Sequence, residues 1–161
     1  MKDKCYKPAR NSLLTQSAAC SYAGVQLRTS MVLVTFLVED SATIRSNLIP
    51  TLADLGGARV VAFAEGEKDA IDWLKGHDGH WDLAIVDMFL REGSGLGVLH
   101  GCRERASHQR VVVLTNYPTA EIRRRCAALG ADAVFDKSTE LEELFDFCCA
   151  LGGAKPGSPG D

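Results

Sequence analysis

The chain has 161 residues, a formal net charge of -3 and a composition that is 46% hydrophobic and 24% charged. That length suits one folding unit with tails, and the composition excludes disordered and fibrous classes. The charge creates no basic field and the body carries no Lys/Arg stripe, so no direct nucleic-acid partner is expected.

Residues 1–30 hold Lys2, Lys4, Lys7, Arg10 and Arg28 against Asp3 alone, with no sustained apolar run behind them. A secretory signal needs that run, so Ser17-Ala18-Ala19-Cys20 is a chance likeness to a lipoprotein cleavage site and no membrane insertion is expected. Met31 directly precedes the first strand-like stretch, so 1–30 is expected to be a mobile extension or a mis-assigned start.

From Met31 onward, short apolar runs alternate five times with segments of helical periodicity, the pattern of βα units around a parallel sheet. Strands are expected at 32–38, 59–64, 83–86, 111–114 and 133–135, each rich in Val, Leu, Ile or Phe as burial on both faces requires. After the first strand, Ser41 can cap a helix that turns Ile44, Leu48, Leu52 and Leu55 inward, and Pro50 should kink it. A second helix is expected over 67–75, with Ala70, Ile71 and Leu74 inward, ending in Gly76-His77-Asp78-Gly79.

The third helix follows Gly95 and presents Val98, Leu99 and Cys102, while Gly93-Ser94-Gly95-Leu96-Gly97 takes a turn role. Ile122, Cys126 and Leu129 line the fourth, which Gly130 stops, and its Arg123-Arg124-Arg125 run reads as a solvated face. The last helix is expected to start at Ser138 or Thr139, with Thr139 and Glu142 at capping-box spacing and Leu141, Leu144, Phe145 and Cys148 inward. Residues 152–161 are rich in Gly and Pro and are expected to be a flexible tail. Cys102, Cys126, Cys148 and Cys149 sit in apolar helical patterns, which points to reduced thiols and a cytoplasmic protein. His77, His80, His100 and His108 have no metal-ligand spacing with them, so zinc is not supported.

In a parallel sheet with right-handed crossovers, functional groups collect at the carboxyl ends of the strands. Those ends carry Glu39-Asp40, Asp87, Thr115 and Lys137. Each alone reads as a cap, turn or surface residue; together they place three acids, a hydroxyl and an ammonium on one edge. Three adjacent carboxylates repel unless a cation sits among them, and Mg²⁺, with few carboxylates and retained waters, suits that role. A carboxylate there can act as nucleophile toward phosphorus.

These residues, with Phe36-Leu37-Val38-Glu39-Asp40-Ser41, Ala84-Ile85-Val86-Asp87-Met88-Phe89-Leu90, Gly95, Leu114-Thr115-Asn116 and Gly130-Ala131-Asp132-Ala133-Val134-Phe135-Asp136-Lys137, resemble the receiver domain of two-component response regulators. The resemblance implies a receiver domain over 31–151 with the flavodoxin-like α/β fold, a three-layer, doubly wound, five-stranded parallel sheet of order 2-1-3-4-5. It implies Asp87 as phosphoacceptor, Asp40 and the backbone carbonyl of Phe89 as Mg²⁺ ligands beside Asp87, and Glu39 as a ligand through water. It also implies Thr115 as a switch hydroxyl and Lys137 as counter-ion. The donor would be a phosphohistidine on a sensor histidine kinase or histidine phosphotransfer protein.

Four positions depart from that family's pattern. Arg91 and Ser138 stand where prolines are usual, Asn116 where a small residue is, and Val134 where an aromatic switch residue often lies, with Tyr117 or Phe135 the nearest substitutes. Phe89 and Tyr117 are expected to shield an aspartyl phosphate from water and slow its loss.

No effector region is expected after Leu151, so output would pass to an unidentified protein partner, from a monomer or weak homodimer, through the face of the fourth helix, last strand and last helix. The chain is read as a phosphoacceptor rather than an enzyme. Two alternatives stay open: a phosphorylation-independent pseudo-receiver, and an aspartyl-phosphate phosphatase of haloacid-dehalogenase type. The latter needs a second acid where Phe89 stands.

Overall fold

The computed structural model describes residues 32–153. The expected N-terminal extension and the tail beyond Gly153 lie outside them. Five βα units follow one another: β1 Leu33–Val38, α1 Ala42–Gly56, β2 Ala58–Ala64, α2 Glu67–Gly76, β3 Leu83–Asp87, α3 Gly95–Gly101, β4 Arg110–Thr115, α4 Ala120–Ala128, β5 Ala133–Asp136 and α5 Leu141–Leu151. The strands form one parallel sheet of order β2-β1-β3-β4-β5, the doubly wound order expected.

Alternation along each strand feeds two cores. Phe36, Val38, Ala84, Val86, Val111 and Val113 face α2, α3 and α4, where Ala70, Leu74, Val98, Leu99 and Cys126 meet them. Leu37, Ile85, Val112, Leu114 and Phe135 face α1 and α5, packing on Leu48, Leu52, Leu144, Phe145 and Cys148. With both faces covered, all five residues of central β3 are buried, whereas edge strand β2 alternates buried residues with half-buried or exposed ones. At the amino edge of the sheet two aspartates fasten neighbouring strands. Asp82 accepts from Val34 N at 2.8 Å, and Asp132 accepts from Val111 N at 2.7 Å.

α1 runs from Ala42 to Gly56 with Pro50 inside it, capped by the Ser41 hydroxyl accepting from Ile44 N at 3.3 Å. Three local expectations need correction. Leu55 is 59% exposed and Gly56 is buried instead, because Gly56 is where α1 crosses α5 and a Cβ there would sit 3.2 Å from Cys148 Cβ. α5 begins at Leu141 with Glu140 in the capping position and no side-chain cap, so the Thr139–Glu142 capping box does not form. The Glu140 carboxylate is drawn off to the Asp136 amide and the Arg123 guanidinium. Arg123 therefore leaves the solvated face expected of it, donating also to the carbonyls of Pro118 and Val134, while Arg124 and Arg125 remain exposed.

Candidate functional site

β1 delivers Glu39 and Asp40 to the carboxyl edge of the sheet, where Glu39 N donates to Ala64 O of neighbouring β2 at 3.0 Å. The Glu39 side chain is fully buried and turned back, its Oε1 accepting from Ser41 N at 3.0 Å. Arg45 locks the turn from α1: Nη1 donates to Glu39 O at 2.6 Å, Nη2 to Glu65 Oε1 at 2.8 Å, and the guanidinium lies 4.3 Å over the Phe63 ring. Sequence patterning missed Arg45, a cation one residue beyond Ile44 at the inward edge of the helix; an arginine on an apolar stripe was the available signal.

Asp87 ends β3, paired in register with Leu114, and accepts from Phe89 N at Oδ1 across 3.2 Å. The chain then doubles back so that Gly95 N donates to Met88 O at 2.9 Å. That return needs glycine, since a Cβ on Gly95 would overlap the Asp87 carbonyl oxygen and lie 2.8 Å from Met88 Cα.

Lys137, the residue after β5, reaches across the edge. Its Nζ donates to Glu39 Oε2 at 2.6 Å and to Asp87 Oδ2 at 2.8 Å, with all three side chains at most 10% exposed. Burial pushes the Glu39 carboxyl above its usual range, against the opposing pull of Lys137 and the Ser41 amide. For Lys137, burial is the largest single influence and acts downward, yet the hydrogen bonds to Asp87 and Glu39 together outweigh it and hold the ammonium above its ordinary value. Asp40 sits at the rim, its Oδ2 accepting from Arg91 N at 3.1 Å with Arg91 Nε at 3.4 Å.

Thr115 ends β4 one residue beyond the Asp87–Leu114 register and is fully buried. Its Oγ1 accepts from Tyr117 N at 3.2 Å, and its carbonyl accepts from Lys137 N at 2.9 Å. Phe89 and Tyr117 stand exposed beside the site as an edge-to-face pair, ring centroids 5.8 Å apart at 88°. Phe135 packs instead against Phe147 on the α5 side, so of the two aromatic substitutes Tyr117 alone lies by the site.

Glu39, Asp40 and Asp87 each offer a carboxylate oxygen, all within 4.8 Å of one another. Opposite ligands of a six-coordinate Mg²⁺ are about 4 Å apart, so the cluster fits a small hard cation with little adjustment. The edge thus brings together the acid pair, Asp87 and Lys137 by direct contact or proximity, with Thr115 joined through the Lys137 backbone.

A model of the response regulator receiver domain matches residues 35–148. The photosynthetic apparatus regulatory protein RegA of Rhodobacter capsulatus is 32% identical over 76 residues, 47% of this chain and 41% of that protein. The transcriptional regulatory protein DltR of Streptococcus agalactiae is 32% identical over 108 residues, 67% of this chain and 46% of that protein. The chain thus spans less than half the length of these curated relatives. Among solved structures, the signal receiver domain of the response regulator NarL from Mycobacterium tuberculosis matches with a TM-score of 0.66 at 19% identity, covering 78% of this chain and 99% of that one. The response regulator domain of Thermotoga maritima CheB matches with a TM-score of 0.65 at 18% identity over the same shares.

Proposed function

Because the chain belongs to the response regulator receiver domain family of two-component signalling, we propose that its strand-end edge takes a phosphoryl group onto Asp87 from a phosphohistidine, borne by a sensor histidine kinase or histidine phosphotransfer protein. The observation that carries this reading is Lys137 Nζ spanning Glu39 and Asp87 with Asp40 alongside. In the transfer, an Asp87 carboxylate oxygen bonds to phosphorus as the P–N bond breaks, and the bonding pair returns to the imidazole nitrogen. Lys137 uses two of its three N–H donors on Glu39 and Asp87, leaving the third for a phosphoryl oxygen. The Thr115 hydroxyl accepts from Tyr117 N, so its own proton is available to donate to another. Asp40, Asp87 and the Phe89 carbonyl would hold Mg²⁺, with Glu39 acting through water, and the ion would supply positive charge for the phosphoryl oxygens.

The phosphorylated state would then bias the packing of α4, β5 and α5, altering contacts with a protein partner. Incubation with acetyl phosphate and Mg²⁺, followed by intact-mass measurement, tests acceptance. One phosphate on the native chain and none on Asp87→Asn is expected; no addition, or equal addition to the variant, overturns the reading. The exposed Phe89–Tyr117 pair favours a long-lived phosphate by screening water. Replacing both with asparagine should shorten the lifetime several-fold, and an unchanged lifetime would remove the shielding role.

A further inference from the structure

Arg91 follows Asp87 by four residues and makes two contacts with one oxygen of Asp40, through its backbone N–H at 3.1 Å and its Nε at 3.4 Å. Neither contact is open to proline, the residue usual at this point of the resembled pattern, which has no N–H and no charge. Lys137 already serves Glu39 and Asp87. The three acids are therefore matched by two cations of the chain itself, one deep and one at the rim.

From this geometry, and resting on the proposed role of Asp40 as a metal ligand, we infer that Arg91 is a built-in competitor for the metal, setting the divalent-cation affinity of the site below what its carboxylates alone would give. The two cations differ in how readily they yield. The Lys137 side chain is 10% exposed, whereas that of Arg91 is 82% exposed, with Asp40 at 17%. An exposed pair is weak and screened by salt, so a divalent ion can displace the guanidinium while still meeting its charge. Arg91 thereby lowers affinity without blocking the site. The backbone N–H acts separately, fixing Oδ2 and leaving the other Asp40 oxygen for a ligand.

Mg²⁺ titration followed by calorimetry, without phosphodonor, tests this on the native chain, Arg91→Ala, Arg91→Gln and Arg91→Lys. Ala and Gln remove the charge and keep the N–H, and both should bind Mg²⁺ roughly 3- to 10-fold more tightly at low salt. Lys should stay within about 2-fold of the native chain, and the native-to-Ala gap should shrink at high salt. Equal affinities for the native chain, Ala and Gln, Lys behaving as Ala, or a gap indifferent to salt would each overturn the inference while leaving the phosphoacceptor reading standing. No Mg²⁺ binding by any of the four would overturn both this inference and the metal site on which it rests.

Discussion

Lys137 sits between two buried carboxylates, Glu39 and Asp87. Removing one partner of a buried pair leaves charge uncompensated, so Lys137→Ala should cost about 3 kcal/mol in urea unfolding. Glu39 has a folded-state pKa above its ordinary value, which means the folded chain holds that proton more tightly than the unfolded one. Stability attached to Glu39 therefore falls as pH rises through that value, and the Lys137→Ala deficit should be smaller near about pH 5 than near about pH 8. A second residue-scale test concerns Gly95, where a Cβ would press on the backbone of Asp87 and Met88. Gly95→Ala should lower stability by about 1–3 kcal/mol and displace the loop from Asp87 to Gly95, read out, on the proposed function, as lost labelling by acetyl phosphate. The residue types and their strand-end positions were legible in the sequence because a parallel sheet exposes one edge to function. Neither contact of Arg91 was, because Asp40 lies in a unit distant along the chain, and Arg45 was marked only by its place on an apolar stripe.

At the scale of elements, strand existence was readable from apolar runs, with each boundary moving by no more than one residue. The start of α5 was not readable, since two groups compete for Glu140. Arg123 holds that carboxyl below its ordinary value of 4.5, with the Asp136 amide assisting. A depressed carboxylate stabilises above its ordinary value and loses that contribution as pH falls through the folded one. The native chain should accordingly melt at a higher temperature than Glu140→Gln at about pH 7, with the gap closing in acid; a constant gap would show that the tie between α4 and the β5–α5 turn is not electrostatic. α1 shows the opposite balance. Its capped start and the burial of Leu48 and Leu52 outweigh the donor lost at Pro50, so tertiary packing keeps the helix whole.

For the whole molecule, the four cysteines among the described residues are free; Cys102 and Cys126 lie in one core and Cys148 in the other, while Cys149 is only partly buried. Burial raises the thiols of Cys102 and Cys126, and pushes that of Cys148 up to about 12. Because the thiolate is the reactive form, alkylation of these three should be slow in the native state and should proceed together as the chain unfolds. Early, selective modification of Cys148 would show that the α1–α5 layer opens independently of the other. Among the described residues no helix is long and apolar enough to cross a membrane. The sequence by itself determined five βα units, their parallel sheet and the acids, hydroxyl and ammonium at its edge, since periodicity and strand-end chemistry are local properties. Only the tertiary structure decided which cation serves which carboxylate, Lys137 for Glu39 and Asp87, Arg91 for Asp40 and Arg123 for Glu140. Those pairings depend on distances between loops that meet after the sheet has formed, and nothing in the spacing of residues along the chain specifies them.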